Sequence, residues 1–328
     1  MPDFSLPVAR YRFAFRALTS IQFPAYAGST WRGAFGHALR HTVCITREPD
    51  CRNCLLWRSC VYSQVFETPA GHEPLLQKVS AAPHPYIMQP LATSGRQYAP
   101  GESFVLHLTL LGAAIEHLPY LIHAMRQVGE RGIGKGDGRY ALEAVAQETV
   151  AGGGVWQTIH TPGGSLQALP GSVPLIPPLP EQVRVVLQTP LRLLQEGTPI
   201  RSGRFNFQLF MNTVMRRISL LHAYHAGVEL PGDFKALSQQ AAGVALHAVD
   251  LHWHEWSRYS NRQQNKVQMG GLVGSFALVG AGLEDFWPWL WLGQWVHAGK
   301  GAVMGMGEYA LHGEGEENPL CPPVTKED

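Results

Sequence analysis

Two adjacent stretches set residues at spacings that chemistry uses. In "GSTWRGAFGHALRH", beginning at Gly28, His37 and His41 stand four apart, which on a helix puts both on one face. Histidine changes charge near neutral pH, so the pair suits general acid–base work. Trp31, Phe35, Ala38 and Thr42 trace a different, apolar face, leaving the histidines at its margin where they can reach a ligand. Directly afterwards, "CITREPDCRNCLLWRSC" places Cys44, Cys51, Cys54 and Cys60 in a C-x6-C-x2-C-x5-C pattern. Four thiols within 17 residues meet the needs of a closed tetrahedral site in a reducing compartment. A structural zinc is the first expectation and an iron–sulfur cluster the second, because thiolate-only ligation serves both. The metal would fix the segment from Thr42 to Tyr62 as a knuckle beside the histidine helix, and Cys321 is left over.

The elements that must position these residues are written twice. "LLGAAIEHLPYLIHAMRQVGERGIGKGDGRYAL" from Leu110 aligns with "LVGAGLEDFWPWLWLGQWVHAGKGAVMGMGEYAL" from Leu278, so that Gly112 falls on Gly280 and Glu116 on Glu284. After one inserted residue, Gly138 falls on Gly307 and Tyr140 on Tyr309. Such an offset, about half the chain, indicates duplication. Each copy reads as an apolar strand (104–111; 272–279), a helix (116–128; 283–296), a glycine loop and a short final strand (139–145; 308–311). Upstream, each half offers a strand and then a helix: "ARYRFAFRAL" and a helix over about 29–43, then "VRVVLQTPLRL" and "RFNFQLFMNTVMRRISLLHAYHAG". Strand, helix, two strands, helix, strand is the plan of a ferredoxin-like domain. The expected fold class is therefore α+β, two such domains in tandem. They would occupy residues 1–150, with the cysteine-rich insertion at 44–60, and 183–328, with an acidic tail over 313–328. The stretch 151–182, rich in Gly and Pro, reads as a connector.

Tandem ferredoxin-like halves, the closing loop with Gly299, Gly301, Gly305 and Gly307, the "GSTWRGAFGHALRH" helix and the "RYSNRQ...MGGLVGSF" segment from Arg258 to Phe276 resemble the CRISPR-associated RAMP superfamily. Within it, the chain is similar to the endoribonuclease that processes CRISPR precursor RNA. The resemblance implies metal-independent cleavage of repeat RNA, in which a 2′-hydroxyl attacks the adjacent phosphate to leave a 2′,3′-cyclic phosphate. It also implies crRNA and other CRISPR effector subunits as partners. Family members commonly carry a catalytic histidine on or just after the first helix, matching His37 or His41, and often a tyrosine before it, matching Tyr26. Arg32 and Arg40 are expected to hold the phosphate. The glycine loops suit phosphate contact because glycines let backbone N–H groups approach a polyanion, and the second, which carries Lys300, is the better candidate. Arg258, Tyr259, Arg262 and Lys266 interleave charge and aromatic rings on one hairpin, a pattern for an RNA groove.

A noncatalytic RAMP subunit that holds guide RNA is the alternative; it would keep the loops and hairpin without needing His37, His41 or Tyr26. A redox or iron–sulfur protein centred on the cysteines is a third reading. Composition is compatible with the first two. Hydrophobic residues make up 45% and charged ones 16% of the 328 residues, as in a well-buried globular protein. The net charge of +1 hides acids gathered at the end: residues 1–312 hold 25 basic and 20 acidic side chains, or +5. A mildly basic body permits a nucleic-acid partner without demanding one. The amino terminus does not read as a signal peptide and no apolar run would span a bilayer, so a soluble, cytoplasmic protein with no membrane partner is expected.

Overall fold

A computed structural model of the chain describes residues 4–69, 82–260 and 265–313. Among the described residues the chain divides into two compact units: one comprises Phe4–Pro174 with Leu220–Glu229, the other Leu175–Ser219 with residues 230–313.

In the first unit β1 (Val8–Ala17) leads into α1 (Gly28–Val43), followed by β2 (Tyr86–Gln89), β3 (Ser103–Leu111), α2 (Leu118–Arg131), β4 (Tyr140–Glu148) and β5 (Trp156–His160). The sheet runs β2-β3-β1-β4-β5 with every neighbour antiparallel. Strict alternation along β1 decides which side is covered: Tyr11, Phe13 and Phe15 are fully buried, while Arg10, Arg12 and Arg16 take the opposite side. Phe15 stacks on Trp31 of α1 at 5.8 Å and meets Tyr140 of β4 at 4.5 Å. Each such buried ring contributes roughly 1.5–3 kcal/mol; together they hold α1 to the sheet.

In the second unit β6 (Gln182–Leu191) leads into α3 (Phe207–His225), whose end from Leu220 belongs to the first unit, then β7 (His247–His254), the hairpin β8 (Ser257–Ser260) and β9 (Asn265–Gln268), β10 (Gly271–Val279), α4 (Trp287–Val296) and β11 (Tyr309–His312). Its sheet runs β7-β10-β6-β11, again antiparallel throughout. With the extra β5 set aside, both sheets have the order second, third, first, fourth, as a ferredoxin-like plan requires.

Two expectations shift. The helices predicted from Glu116 and Leu283 begin later, at Leu118 and Trp287, because a proline occupies the first turn of each and fixes where helical backbone can start. The stretch 151–182 is not only a connector: Trp156–His160 adds the outer strand to the first sheet, and Ser172 bridges back to Val8. Among the described residues no helix is long and apolar enough to cross a membrane.

Candidate active site

Helix α1 is anchored at its start by a turn from elsewhere in the first unit. Trp31 donates its indole N–H to Thr93 Oγ1 at 2.9 Å in the core, and Ala27 N donates to Ser94 Oγ at 3.0 Å. Trp31, Phe35, Ala38 and Leu39 are buried, so the helix has one fixed rotation. That rotation exposes Gly33, His37 and His41, a stripe at four-residue intervals. A side chain at Gly33 would meet nothing within 4 Å, so the stripe is open beside the histidines. Gly33 was not predicted as a site residue; its spacing of four before His37 was the available signal.

The other predicted participants are placed differently. Tyr26 is half-buried just before the helix. The helix opens two residues later at Gly28, which by a rise of about 1.5 Å per residue lies roughly 14 Å from His37 and roughly 20 Å from His41 along the axis. The two histidines therefore share a face, and Tyr26 lies at the other end of the helix. Arg32 packs its guanidinium 4.4 Å from the centroid of Phe66, with Nε buried and taking no acceptor among the described residues. Arg40 is engaged in holding the cysteine segment: its Nη2 donates to Glu48 O at 2.5 Å and Pro49 O at 3.1 Å, and its guanidinium lies 5.7 Å from the Tyr62 ring.

The cysteine segment packs tightly on α1. A side chain at Gly36 would come within 2.3 Å of the Phe66 ring, so glycine there lets the short helix Val61–Phe66 cross α1 closely. Cys44, Cys51, Cys54 and Cys60 are free thiols. Among the described residues no three Cys, His, Asp or Glu side chains gather as a metal-holding group. The predicted zinc or iron–sulfur centre thus has no ligand cluster here. Cys54 instead shares a hydrogen bond with Thr46 Oγ1 at 3.2 Å, and burial pushes the Cys51 thiol up, with Glu67 adding and Arg40 opposing. Contacts of Arg40 and the stacking of Tyr62 on Phe66 at 5.4 Å hold the segment against the helix.

The second glycine loop is fixed by its own backbone. Gly299, Gly301, Gly305 and Gly307 all have positive φ, between 70° and 87°. Gly307 shows why: a side chain there would lie 1.8 Å from Ala298 O. Gly305 and Gly307 are buried, whereas Lys300 is exposed, with its N–H donated to Arg192 O at 2.9 Å. Thr189 Oγ1 clamps the loop, donating to Gly305 O at 2.7 Å and accepting from Glu308 N at 2.9 Å. His297 is buried with Nδ1 3.2 Å from Met306 O, which makes it a packing residue of the loop. Of the predicted hairpin, Arg258 pairs in register with Val267 and Tyr259 with Lys266; Arg262 lies outside the described residues.

A family model described as CRISPR-associated endoribonuclease Cas6 matches residues 185–309, and one for an N-terminal domain, AF_1859_N, matches residues 6–171. Residues 185–309 thus belong to the family of CRISPR-associated Cas6 endoribonuclease domains. Its fold is similar to a partial Cas6-RT-Cas1–Cas2 complex, with a TM-score of 0.54 and 14% identity over 98% of this chain and 48% of that one. The chain thus spans about half the length of that neighbour. Two Cas6 product complexes match with TM-scores of 0.51 at 15% and 14% identity, over 92% and 94% of this chain and 98% and 100% of theirs. At these identities the likeness is one of fold. No curated protein sequence matches the chain.

Proposed function

We propose that this endoribonuclease cleaves CRISPR repeat RNA in precursor transcripts, by attack of a 2′-hydroxyl on the adjacent phosphate to leave a 2′,3′-cyclic phosphate and a 5′-hydroxyl. The observation that carries this reading is the exposed stripe of Gly33, His37 and His41 on a helix whose other face is locked into the core. One histidine removes the proton from the 2′-hydroxyl and a protonated group supplies one to the departing 5′-oxygen. His37 and His41, one turn apart, are the pair for those roles. Arg32 is our candidate for the charge that builds on phosphorus, which it would meet by leaving its packing on Phe66. Tyr26, at the far end of α1, suits a contact to a flanking nucleotide better than the scissile phosphate.

Lys300 and the hairpin of β8 and β9 serve as binding surfaces for the same RNA. Effector-complex subunits are the expected protein partners, and the neighbour described as a Cas6-RT-Cas1–Cas2 complex adds RT, Cas1 and Cas2 to them. The test is a gel assay in EDTA with the repeat RNA encoded beside the gene, and a matched substrate carrying one 2′-deoxy at the cut. A cyclic-phosphate product from the first and none from the second is the expected result. RNA that is bound tightly yet stays whole under every condition would make the chain a guide-holding subunit and His37 and His41 ordinary helix surface.

A further inference from the structure

The glycine loop of the first unit is built like the second, atom for atom at its anchor. Lys135 donates its N–H to Gln22 O at 3.0 Å, as Lys300 does to Arg192 O at 2.9 Å. A side chain at Gly134 would lie 2.5 Å from Gln22 O, and one at Gly299 would lie 2.5 Å from Arg192 O. Both loops therefore present a Gly-Lys-Gly tip with an exposed lysine: Gly134-Lys135-Gly136 and Gly299-Lys300-Gly301. Around that tip the two differ. Lys300 is flanked by buried His297 and buried Glu308. Lys135 is flanked by exposed Arg131 and exposed Arg139, against the single acid Asp137 within residues 131–139.

We propose that the first-unit loop, with Arg131, Lys135 and Arg139, is a binding site for the phosphodiester backbone of RNA. The inference rests on the reading of the chain as an RNA-cleaving enzyme. Three observations carry it. Neither Arg131, Lys135 nor Arg139 is in an ion pair among the described residues, so their charge is available to a ligand. The tip is rigid, because Ile133 and Gly138 exchange both backbone hydrogen bonds at 2.9 and 3.0 Å, closing a four-residue turn. The space over it is open: a side chain at Gly136 would meet nothing within 4 Å, and the N–H groups of Gly136 and Asp137 take no backbone acceptor among the described residues. A preorganised turn offering N–H groups without backbone acceptors among three exposed cations matches the demands of a run of phosphates, which are singly charged and evenly spaced. A specific protein partner would instead call for an apolar centre within the patch, and this tip has none on its exposed positions.

The experiment measures binding of repeat RNA carrying a 2′-deoxy at the cut, across a salt series from about 50 to 200 mM. It compares wild type, the triple variant Arg131→Ala/Lys135→Ala/Arg139→Ala, the single variant Lys135→Gln, and Lys235→Ala as an exposed control cation. The triple variant should bind at least about tenfold more weakly at low salt, with a log–log salt slope shallower by about 2, and Lys135→Gln should lose about 0.7 of slope. Lys235→Ala should match wild type. If wild type binds and cuts the repeat while the triple and single variants keep its affinity and slope, the loop is an ordinary turn and only this inference falls. If wild type itself neither binds nor cuts repeat RNA, the enzyme reading fails first and this site with it. The single variant removes one surface charge, so it decides the matter even if the triple variant misfolds.

Discussion

The two halves share a backbone scaffold and differ in what they place on it. In both, residues at or near the end of the first strand grip the residue just before the fourth strand. Leu18 N and Thr19 N donate to Arg139 O while Thr19 Oγ1 accepts from Arg139 N; Gln188 N and Thr189 N donate to Glu308 O while Thr189 Oγ1 accepts from Glu308 N. In both, a buried tyrosine closes the domain on its second helix: Tyr140 donates to Met125 O at 2.9 Å and Tyr309 to Leu290 O at 2.7 Å. The first helices diverge. α1 turns His37 and His41 outward, whereas the histidines of α3, His222 and His225, are buried at its end. Duplication kept the backbone hydrogen bonds, which any ferredoxin-like half needs, and left the helix faces free to specialise.

The largest effect that would break this comparison is on cleavage. His37→Ala or His41→Ala should slow single-turnover cleavage of repeat RNA by about 10²- to 10⁴-fold, the range for a lost general acid or base. His222→Ala should leave cleavage by the folded protein near wild type and lower its melting temperature instead, because it opens a hole in a packed region. Equal loss of cleavage from all three would mean that the chemistry is not confined to the first helix.

Next in size are the glycine loops. Gly307→Ala forces a side chain to within 1.8 Å of Ala298 O at a φ of 70°, and should destabilise by about 3 kcal/mol or more. Gly136→Ala has open space around it and a φ of 83°, so only the left-handed backbone costs, about 1 kcal/mol. Denaturant midpoints for the two variants check this, and similar shifts would show that the first loop is as tightly packed as the second.

Most of this plan was legible in the sequence, and the exceptions have physical causes. The repeat was readable because Gly112, Gly138 and Tyr140 recur in the second half with one inserted residue between them, and each is held by a backbone approach or a hydrogen bond that tolerates few substitutes. The histidine face of α1 was readable because its apolar counterpart, Trp31, Phe35 and Ala38, is the core. The equivalence of Lys135 with Lys300 was not read, because it depends on bonds to Gln22 and Arg192 more than a hundred residues away. Nor did spacing reveal that Arg40 spends its donors on Glu48 and Pro49.

Acid stability separates the halves at a smaller scale. His107 on β3 is buried with its pKa pushed down to about 3, mainly by burial and further by Arg10 and Arg12. Its counterpart at the offset of the repeat is Ser275, which accepts from Arg184 and does not titrate in this range. A buried neutral histidine binds no proton until pH falls to its folded value, whereas the unfolded chain takes one up below about 6.5. The unfolded state therefore gains protons first, and stability falls as pH drops from about 6.5 toward 3, by about 1.4 kcal/mol per unit or about 2 kcal/mol at pH 5. His107→Gln should flatten that loss in the first unit, as followed by melting at pH 7 and pH 5; an unchanged slope would place the acid sensitivity elsewhere.

The smallest effect tests the shared clamp itself. Thr189 is completely buried, and Thr189→Val would leave Gly305 O and Glu308 N without their partner where water does not reach. The cost of such orphaned groups is about 1–2 kcal/mol. Thr19 makes the same bond to Arg139 N at 2.8 Å but is half-buried, so water can take over that N–H in Thr19→Val and the cost should stay below about 1 kcal/mol. Both substitutions conserve volume, so the difference in urea midpoint reports burial of the clamp and little else. Equal costs would mean that the first clamp is as sealed as the second, and that the first loop owes its open tip to local shape alone.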